Sequence, residues 1–387
     1  MIIEKKILKR TEKMGAESKK KNNIIAGDAM AAIEAQRIPS SLISVDVDLP
    51  LDGLKPRIVE LCKDLFERWS DLDASRFEVE TVSGGITNLL LKVTVREESG
   101  NVVPFTVRLY GPNTDYVINR ERELLAIRHL SEAGFGAKLL ATFQNGMVQS
   151  FIDARTLTAA DMRDGKLIPE IAKEVRKFHQ VKIPGSKEPQ LWVDIERFFD
   201  KASSLRFNDS KKHEQYKKVS FDEIKSEINQ LKQLADRLKA PVVFSHNDLL
   251  SGNLMLNEER GKLYLIDFEY ASYSYRGFDI GNHFNEYAGY DCDYRLYPSK
   301  DDQCHFFRHY LNPDAPDEVT ESELEAIYVE TNTFMLASHL YWALWALIQA
   351  NVSPIKFDYL EYFFLRYNEY KRRRDAAVSL AESFLSR

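Results

Sequence analysis

The stretch Ser245–Tyr270 decides the fold, and it reads SHNDLLSGNLML, then NEERGK, then LYLIDFEY. Two short apolar runs, Leu254–Leu256 and Leu263–Ile266, predict strands that are joined through Gly261. The polar residues His246–Asp248 stand just before the first of these runs. We therefore expect polar side chains at the ends of neighbouring strands, within reach of one another.

Three residues of this stretch, Asp248, Asn253 and Asp267, are candidate catalytic residues. Phosphoryl transfer needs a group that orients or deprotonates the attacking hydroxyl, and oxygen ligands that hold Mg²⁺ on the nucleotide phosphates. Asp248 can serve in the first role, and Asn253 with Asp267 in the second, as metal ligands. The Asp-x-x-x-x-Asn spacing is that of the protein-kinase catalytic loop, and Asp267-Phe268-Glu269 lies where that family has Asp-Phe-Gly. Each motif alone is weak evidence, and their order along the chain favours a kinase.

Residues 241–290 resemble the choline/ethanolamine kinase family, which phosphorylates an amino alcohol with Mg-ATP. The likeness extends over about residues 55–370, and three motifs carry it: His246-Asn247-Asp248, Ile266–Tyr270 and Tyr275–Glu286. The resemblance implies an α+β, protein-kinase-like fold of the aminoglycoside phosphotransferase/choline kinase type. Such a fold has two lobes, a β-rich N-lobe and a mainly helical C-lobe.

The chain is long enough for two lobes, because single hydrophobic cores stop growing at about 250–300 residues. We assign residues 51–152 to the N-terminal lobe with its nucleotide-binding hairpins and helix. Residues 153–387 form the C-terminal helical lobe with the catalytic loop and the acceptor pocket. Residues 1–50 are expected to be a disordered tail. Its early lysines are mixed with acidic residues and lack a long apolar segment, which argues against a targeting peptide.

Composition excludes several classes of function. A net charge of −6 gives no electrostatic footprint for nucleic acid. The three cysteines are scattered without metal-type spacing, which suits a reducing cytosol. No uninterrupted apolar stretch reaches the roughly 18 residues of a membrane span, so we expect no stable membrane insertion. A cytoplasmic protein follows from these observations, and the resemblance also suggests a homodimer.

A glycine-tipped hairpin is the candidate phosphate-binding loop. Gly84 and Gly85 separate two alternating strand patterns, and from these two residues alone a plain hairpin turn is the better interpretation. The following strand, however, carries Arg108, as protein kinases carry a basic residue after their glycine-rich loop. Arginine can hold phosphate oxygens with two parallel hydrogen bonds. The family motif here is Gly-Gly-x-Ser/Thr-Asn followed by Arg-Leu-Tyr-Gly, which implies nucleotide contacts from Gly84, Gly85, Thr87, Asn88 and Arg108.

The rest of the nucleotide site follows from the resemblance. Glu123, in a helix predicted over about 119–133, is expected to hold Arg108 in place; Glu121 is the alternative, and a solvated glutamate is the simpler interpretation of either. The backbone of Ser150 and Ile152, at the hinge between the lobes, would receive the adenine edge. Backbone hydrogen bonding leaves no side-chain signature in a sequence.

The acceptor site must recognise a small cation, which carboxylates and aromatic faces do. Glu286 matches a family glutamate near the amino head group. Trp342 and Trp345 are three residues apart on one helix face, and an ordinary aromatic core is the usual explanation of such a pair. Here the surrounding segment 338–345 resembles the family segment that walls the amine pocket, so Trp342, Trp345 and Tyr362 join Asp248 and Glu286 as substrate-binding candidates.

Three further polar residues are assigned supporting roles. His246 is expected to support the catalytic loop by packing and hydrogen bonding, as in kinase-like folds, and Asp279 to brace the same loop. His179 follows an apolar helix face and is interpreted as a core histidine with satisfied hydrogen bonds.

The resemblance implies an ATP-dependent ethanolamine kinase that produces phosphoethanolamine for phosphatidylethanolamine synthesis. The Asp-Leu-Leu form of the loop at Asp248 and the segment Asn285–Gly289 are similar to ethanolamine kinases, whereas choline kinases generally continue with Cys-Gln-Glu-Gly-Asn. The retained tryptophans leave room for choline as a poorer substrate. The alternatives are a choline or dual kinase, an antibiotic or sugar phosphotransferase, and a non-catalytic binding protein of kinase fold.

Overall fold

The computed structural model describes residues 38–82, 88–111 and 114–387. Most of the expected tail, residues 1–37, lies outside the described residues. Residues 38–50 were assigned to the tail as well, but they pack on the N-terminal lobe. Val45 is fully buried, and its amide and carbonyl bond the side-chain amide of Asn145 at 3.0 and 2.7 Å. A segment this short and irregular carries no periodic signal, so only its tertiary contacts reveal its order.

The N-terminal lobe is a mixed sheet covered on one face by a helix. Its elements in chain order are β1 (Ser40–Ser41), α1 (Leu51–Leu65), β2 (Phe77–Val82), β3 (Asn88–Arg96), β4 (Val102–Tyr110), α2 (Arg120–Glu132), β5 (Leu139–Phe143) and β6 (Gly146–Ser150). The strands lie in the order β1-β5-β6-β4-β3-β2, antiparallel except for the pairing of β1 with β5.

Strand alternation in β4 separates the core of this lobe from its functional face. Phe105, Val107 and Leu109 are fully buried and pack in one cluster with apolar residues of α1. Successive side chains of a strand point to opposite faces, so Arg108 lies on the other face of the sheet. That face meets the C-terminal lobe, as the bonds of Arg108 to Asp267 and Glu269 demonstrate.

The C-terminal lobe is mainly helical, with short antiparallel sheets at its junction with the N-terminal lobe. Its elements are β7 (Arg155–Thr156), α3 (Leu167–His179), α4 (Leu191–Ser203), α5 (Ser210–Tyr216), α6 (Phe221–Leu238), β8 (Val242–Ser245), β9 (Leu254–Asn257), β10 (Lys262–Leu265), β11 (Ser272–Tyr275), α7 (Arg276–Asn285), α8 (Lys300–Leu311), α9 (Glu321–Val352) and α10 (Tyr359–Leu385). The α+β prediction, with strands before helices, is confirmed. The lysine-rich stretch 208–218 contains the short helix α5.

Short strand pairs position the catalytic loop. Strand β9 pairs with β10 in antiparallel register, with Leu256 opposite Leu263, so both predicted strands form. Strand β8 pairs with β11, with Phe244 opposite Tyr273. The loop between β8 and β9 is therefore fixed at both ends by hydrogen-bonded strands.

Helix α9 forms the centre of the C-terminal lobe. It begins with a capping box, in which the Thr320 hydroxyl and the Glu323 carboxylate bond each other's backbone amides. From Val329 to Ala350 it is buried on every side. Across the described residues, no helix combines the length and apolar character that crossing a bilayer requires.

Helix α7 crosses α9 at a glycine, which allows the two backbones to approach closely. A Cβ atom on Gly281 would lie 2.9 Å from both the Met335 nitrogen and the Thr331 oxygen, and these are backbone atoms that cannot rotate away. This crossing brings the residues that follow Gly281 against the tryptophan-bearing part of α9.

We expect Gly281→Ala to destabilise the protein by about 1–2 kcal/mol, because crowding a packed interface costs more than the roughly 1 kcal/mol that alanine gains in helix propensity. Urea unfolding measures the change. Gly165→Ala is the matched control, since a Cβ there meets no atom within 4 Å. Equal stability of the two variants would contradict a close-packed crossing.

Candidate active site

One buried carboxylate organises the catalytic loop. Asp279 of α7 accepts hydrogen bonds from the amides of His246 and Asn247, both at 2.7 Å. His179 bonds the same carboxylate at 2.8 Å and the Tyr310 hydroxyl at 2.7 Å, which satisfies both of its ring nitrogens. His246 bonds the Ile266 carbonyl at 2.8 Å. The supporting roles expected for these three polar residues are thus confirmed by their contacts.

The loop backbone contains a residue in a conformation that is rare outside glycine. Asn247 has a φ of +67°, in the left-handed region that non-glycine residues rarely adopt. Its side-chain amide donates to the Tyr270 carbonyl and the Ser272 hydroxyl, both at 2.9 Å. These bonds stabilise the turn that directs the next residue, Asp248.

Asp248 and Asn253 lie together as their spacing predicted. The Asn253 side-chain nitrogen donates to the Asp248 backbone carbonyl at 2.8 Å and to its carboxylate at 2.9 Å. With its nitrogen so engaged, Asn253 has its side-chain oxygen left for a cation. Burial, and then the negative charges of Glu286, Asp267 and Glu269, raise the pKa of Asp248 well above its ordinary value.

Arg108 forms ion pairs with residues of both lobes. Its guanidinium lies 3.1 Å from Glu123 of α2, 3.0 Å from Asp267 and 2.7 Å from Glu269. The arginine and Glu123 are almost wholly buried. Burial by itself lowers the pKa of Arg108, but the charges of Asp267, Glu123 and Glu269 outweigh burial. The net result is a pKa above the ordinary value of arginine. Of the two helix glutamates, Glu123 is the one that contacts Arg108.

Glu269 is a residue whose position the sequence did not reveal. Its carboxylate accepts from Arg108 and, at 3.1 Å, from the side chain of Asn88 at the start of β3. Burial, followed by the charge of Asp267, raises the pKa of Glu269 to about 7. Its place two residues after Asp267, where protein kinases have the glycine of Asp-Phe-Gly, was the available signal.

A cluster of oxygen ligands fits a hard divalent cation. Ligand oxygens of Glu123, Asp267 and Glu269 all lie within 4.8 Å of one another. Asp267 is the most accessible of the three, with 32% of its side chain exposed. Its φ of +62° is again left-handed. Carboxylate and amide oxygens are what Mg²⁺ prefers, so Asp267 with the Asn253 oxygen suits a nucleotide-bound Mg²⁺.

The other expected nucleotide contacts are only partly described. Gly84, Gly85 and Thr87 fall outside the described residues, while Asn88 lies beside Glu269. At the end of β6 the Ser150 amide donates to the Lys138 carbonyl at 2.8 Å, and the Ile152 carbonyl accepts from Ala154 at 3.1 Å. An adenine edge at this hinge would therefore use the Ser150 carbonyl and the Ile152 amide.

The expected acceptor residues Trp342 and Trp345 lie on α9, Tyr362 on α10, and Glu286 directly after α7. The indole N–H groups of Trp342 and Trp345 donate to the Asn282 side chain at 2.7 Å and to the Tyr270 hydroxyl at 2.8 Å. Their ring centroids are 5.4 Å apart with the planes at 76°. Because both N–H groups have protein partners, the two rings offer aromatic faces and edges, not donors, to a neighbour.

Glu286 and Tyr362 meet at an arginine that sequence reasoning missed. Arg366 of α10 donates to the Glu286 carboxylate at 2.8 Å and to the Tyr362 hydroxyl at 3.2 Å. Tyr290 is 56% exposed overall, but burial of its phenol, and then the charges of Asp248 and Glu286, raise the pKa of that phenol. Arg366 occurs one helical turn after Tyr362, and that i, i+4 spacing was the available signal.

Comparison with known proteins accounts for this arrangement. The family model described as choline/ethanolamine kinase matches residues 79–371. This chain belongs to the choline/ethanolamine kinase family. It is 64% identical over 356 residues to a protein of Arabidopsis thaliana named a probable ethanolamine kinase, covering 92% of this chain and 95% of that protein. It is 39% identical over 304 residues to the probable ethanolamine kinase A of Dictyostelium discoideum, covering 78% and 87%.

A solved structure of the family confirms the fold. The ethanolamine kinase of Plasmodium vivax superposes with a TM-score of 0.74 at 29% identity, covering 84% of this chain and 91% of that one. The two-lobed, kinase-like architecture expected from the sequence is therefore that of the choline/ethanolamine kinases.

The buried charge of Asp248 should lower stability. Because folding raises its pKa, the folded protein holds the proton more tightly than the unfolded chain, whose carboxyl ionises near pH 3.9. Stability therefore falls as pH rises above that value. We expect Asp248→Asn to be more stable than wild type at pH 8 by more than about 1 kcal/mol, and the difference to vanish near pH 4.

Urea unfolding in EDTA at both pH values measures this effect. Asp200→Asn, at an exposed site of α4, is the control that changes the same formal charge. If Asp248→Asn is less stable than wild type at pH 8, other groups of the folded protein already compensate the charge of the Asp248 carboxylate, and the prediction is wrong.

Proposed function

We propose that this kinase transfers the γ-phosphoryl group of Mg-ATP to the hydroxyl of ethanolamine and forms phosphoethanolamine. The observation that carries the proposal is the position of Asp248. Its carboxylate accepts a hydrogen bond from Asn253. The charges of Asp267, on the nucleotide side, and of Glu286, on the acceptor side, both act on this carboxylate. A hydroxyl beside Asp248 would thus meet the nucleotide from one side while its amine meets the aromatic pocket on the other.

Each residue contributes a distinct step. Asp248 orients the substrate hydroxyl and accepts its proton, which its raised pKa favours. Arg108, fixed by Glu123, steadies the phosphates together with Gly84, Gly85, Thr87 and Asn88. Asn253 and Asp267 would hold Mg²⁺, which when bound neutralises the charge developing on the phosphoryl oxygens.

The acceptor pocket favours a primary ammonium. An ammonium has three N–H donors that need acceptors, and the pocket offers the carboxylates of Asp248 and Glu286 beside the phenol of Tyr290. Trp342, Trp345 and Tyr362 add aromatic rings that attract any cation. The relatives named as ethanolamine kinases agree with this choice. Choline, which offers no N–H donor, is expected to be the poorer acceptor.

The setting of the enzyme belongs to the same proposal. Cys62, Cys292 and Cys304 are free thiols, in keeping with a reducing compartment, and we propose that the enzyme is cytoplasmic. We also propose a homodimer, which the family resemblance suggests. Phosphoethanolamine would enter phosphatidylethanolamine synthesis.

An acceptor screen tests the function. Purified protein with Mg-ATP should release ADP with ethanolamine at a kcat/KM at least about tenfold above that with choline, since each unpaired donor or acceptor costs about 1 kcal/mol or more. Asp248→Asn should lower kcat by about 10²–10⁴-fold while the fold is kept. A preference for choline would favour the choline kinase alternative, and no turnover with any amino alcohol would favour a binding protein.

Arg108 is open to a separate test. Arg108→Lys keeps the charge but loses the planar fork that reaches two acceptors at once, so KM for Mg-ATP should rise about tenfold. KM for ethanolamine should change little, because Arg108 lies on the nucleotide side. Steady-state kinetics with each substrate varied measures both constants. Arg96→Lys, an exposed arginine on neighbouring β3, is the control, and a rise in the ethanolamine KM alone would refute the role.

A further inference from the structure

Arg366 is a buried cation beneath the acceptor pocket. It is 1% exposed, and its guanidinium holds groups from three separate elements. One terminal nitrogen donates to Glu286 at 2.8 Å and to the Tyr362 hydroxyl at 3.2 Å. The other donates to the Ser338 hydroxyl at 2.9 Å and to its carbonyl at 3.3 Å. A buried charge is tolerated only when its partners are well placed, so these bonds fix its position.

Ser338 anchors this arginine to the buried centre of the lobe. It is fully buried in the middle of α9. Its hydroxyl donates to the Asn282 side chain at 2.8 Å, and the same Asn282 oxygen accepts the indole N–H of Trp342. The arginine, the carboxylate and the pocket tryptophan are therefore joined in one hydrogen-bond network that starts from a buried helix.

We propose that Arg366 is the positioning residue of the acceptor site: it fixes Glu286 and Tyr362 against α9 so that both present themselves to the substrate cation. The inference rests on the function proposed above and extends it. Arg366 does not touch the substrate in this scheme. It acts through the two groups that do.

Charge balance gives Arg366 a second effect. Asp248 and Glu286 are close enough for the charge of Glu286 to act on Asp248. Two carboxylates and one guanidinium leave a net charge of −1, which matches a single ammonium. Without Arg366 the repulsion between the two carboxylates would be uncompensated, which disfavours the charged form that an ammonium needs.

Lysine cannot replace this arrangement. An ammonium is a point charge, whereas the guanidinium fork of Arg366 reaches Ser338 with one nitrogen and Glu286 with the other. Arg366→Lys therefore keeps the charge and removes the geometry, which makes it the informative substitution.

The experiment measures KM for ethanolamine, KM for Mg-ATP and kcat in Arg366→Lys. We expect KM for ethanolamine to rise at least tenfold, KM for Mg-ATP to stay within twofold, and kcat to fall less than fivefold. Arg372→Lys is the control, since that arginine pairs with Glu369 on the same helix and is 62% exposed. It should leave all three constants unchanged.

A double-mutant cycle separates positioning from general damage. In a Glu286→Gln background Arg366→Lys should raise the ethanolamine KM less than threefold further, because Arg366 acts largely through Glu286. Equal increases in both backgrounds, an unchanged ethanolamine KM, or an equal rise in the KM for Mg-ATP would each overturn the proposal.

The test also covers a variant that does not fold and a wild type that prefers another acceptor. If Arg366→Lys does not fold, Ser338→Ala replaces it; this variant leaves the ion pair intact but removes the hydroxyl that bonds Arg366, Asn282 and Asn285. Its ethanolamine KM should rise at least threefold in the wild-type background and less in the Glu286→Gln background. No rise, or an equal rise in both backgrounds, overturns the proposal. The function itself is judged on the wild type. If wild-type protein turns over another amino alcohol better, the same constants are measured with that acceptor, and if it turns over none, the proposed function fails first.

Discussion

The ion pairs of Arg108 are the constraint on which the rest of the active site depends. One guanidinium from β4 meets Glu123 of its own lobe and Asp267 and Glu269 of the other. Desolvating so many charges costs free energy, and the mutual attraction offsets that cost only when every partner is in place. The result is a fixed relation between the sheet that would carry the nucleotide and the loop that carries Asp248.

The same crowding of negative charge affects the ionisation of two carboxylates at the site. Asp248 and Glu269 are both buried among like charges, and the pKa of each is raised. The backbone is strained in the same region, since Asn247 and Asp267 both have left-handed φ values. Such strain persists only where surrounding structure determines it, and here Asp279 and the paired strands do so. Stability is given up at the site where a cationic substrate and a metal-bound nucleotide would meet.

The acceptor side follows a different design, in which polar contacts between protein groups position aromatic surfaces. The indole N–H groups of Trp342 and Trp345 have buried acceptors, so the rings are fixed in orientation as well as in place. Glu286 is held by Arg366, and Arg366 by Ser338. A pocket built in this way can select a cation by charge and by its hydrogen-bonding capacity, because the indole donors of both tryptophans are already engaged.

The sequence by itself determined the kinase-like α+β fold and the strands around the loop that carries Asp248, and it predicted Asp248, Asn253 and Asp267 as the catalytic candidates. These signals are local: apolar runs predict strands, and the spacing of polar residues between them predicts which will meet. It also identified the family through motifs long enough to be specific. The role of Asp279 and the pairing of Arg108 with Glu123 were likewise expected from the sequence.

Only the tertiary structure decided what depends on contacts between distant segments. The order of residues 38–50 arises from Asn145, about a hundred residues further along the chain. Glu269 joins Arg108 and Asn88 across the two lobes, and Arg366 joins Glu286, which lies 80 residues earlier in the chain, to Tyr362 of its own helix. No periodicity records such pairs, because hydrophobic patterns report which face of an element is buried and not which buried charge it will meet.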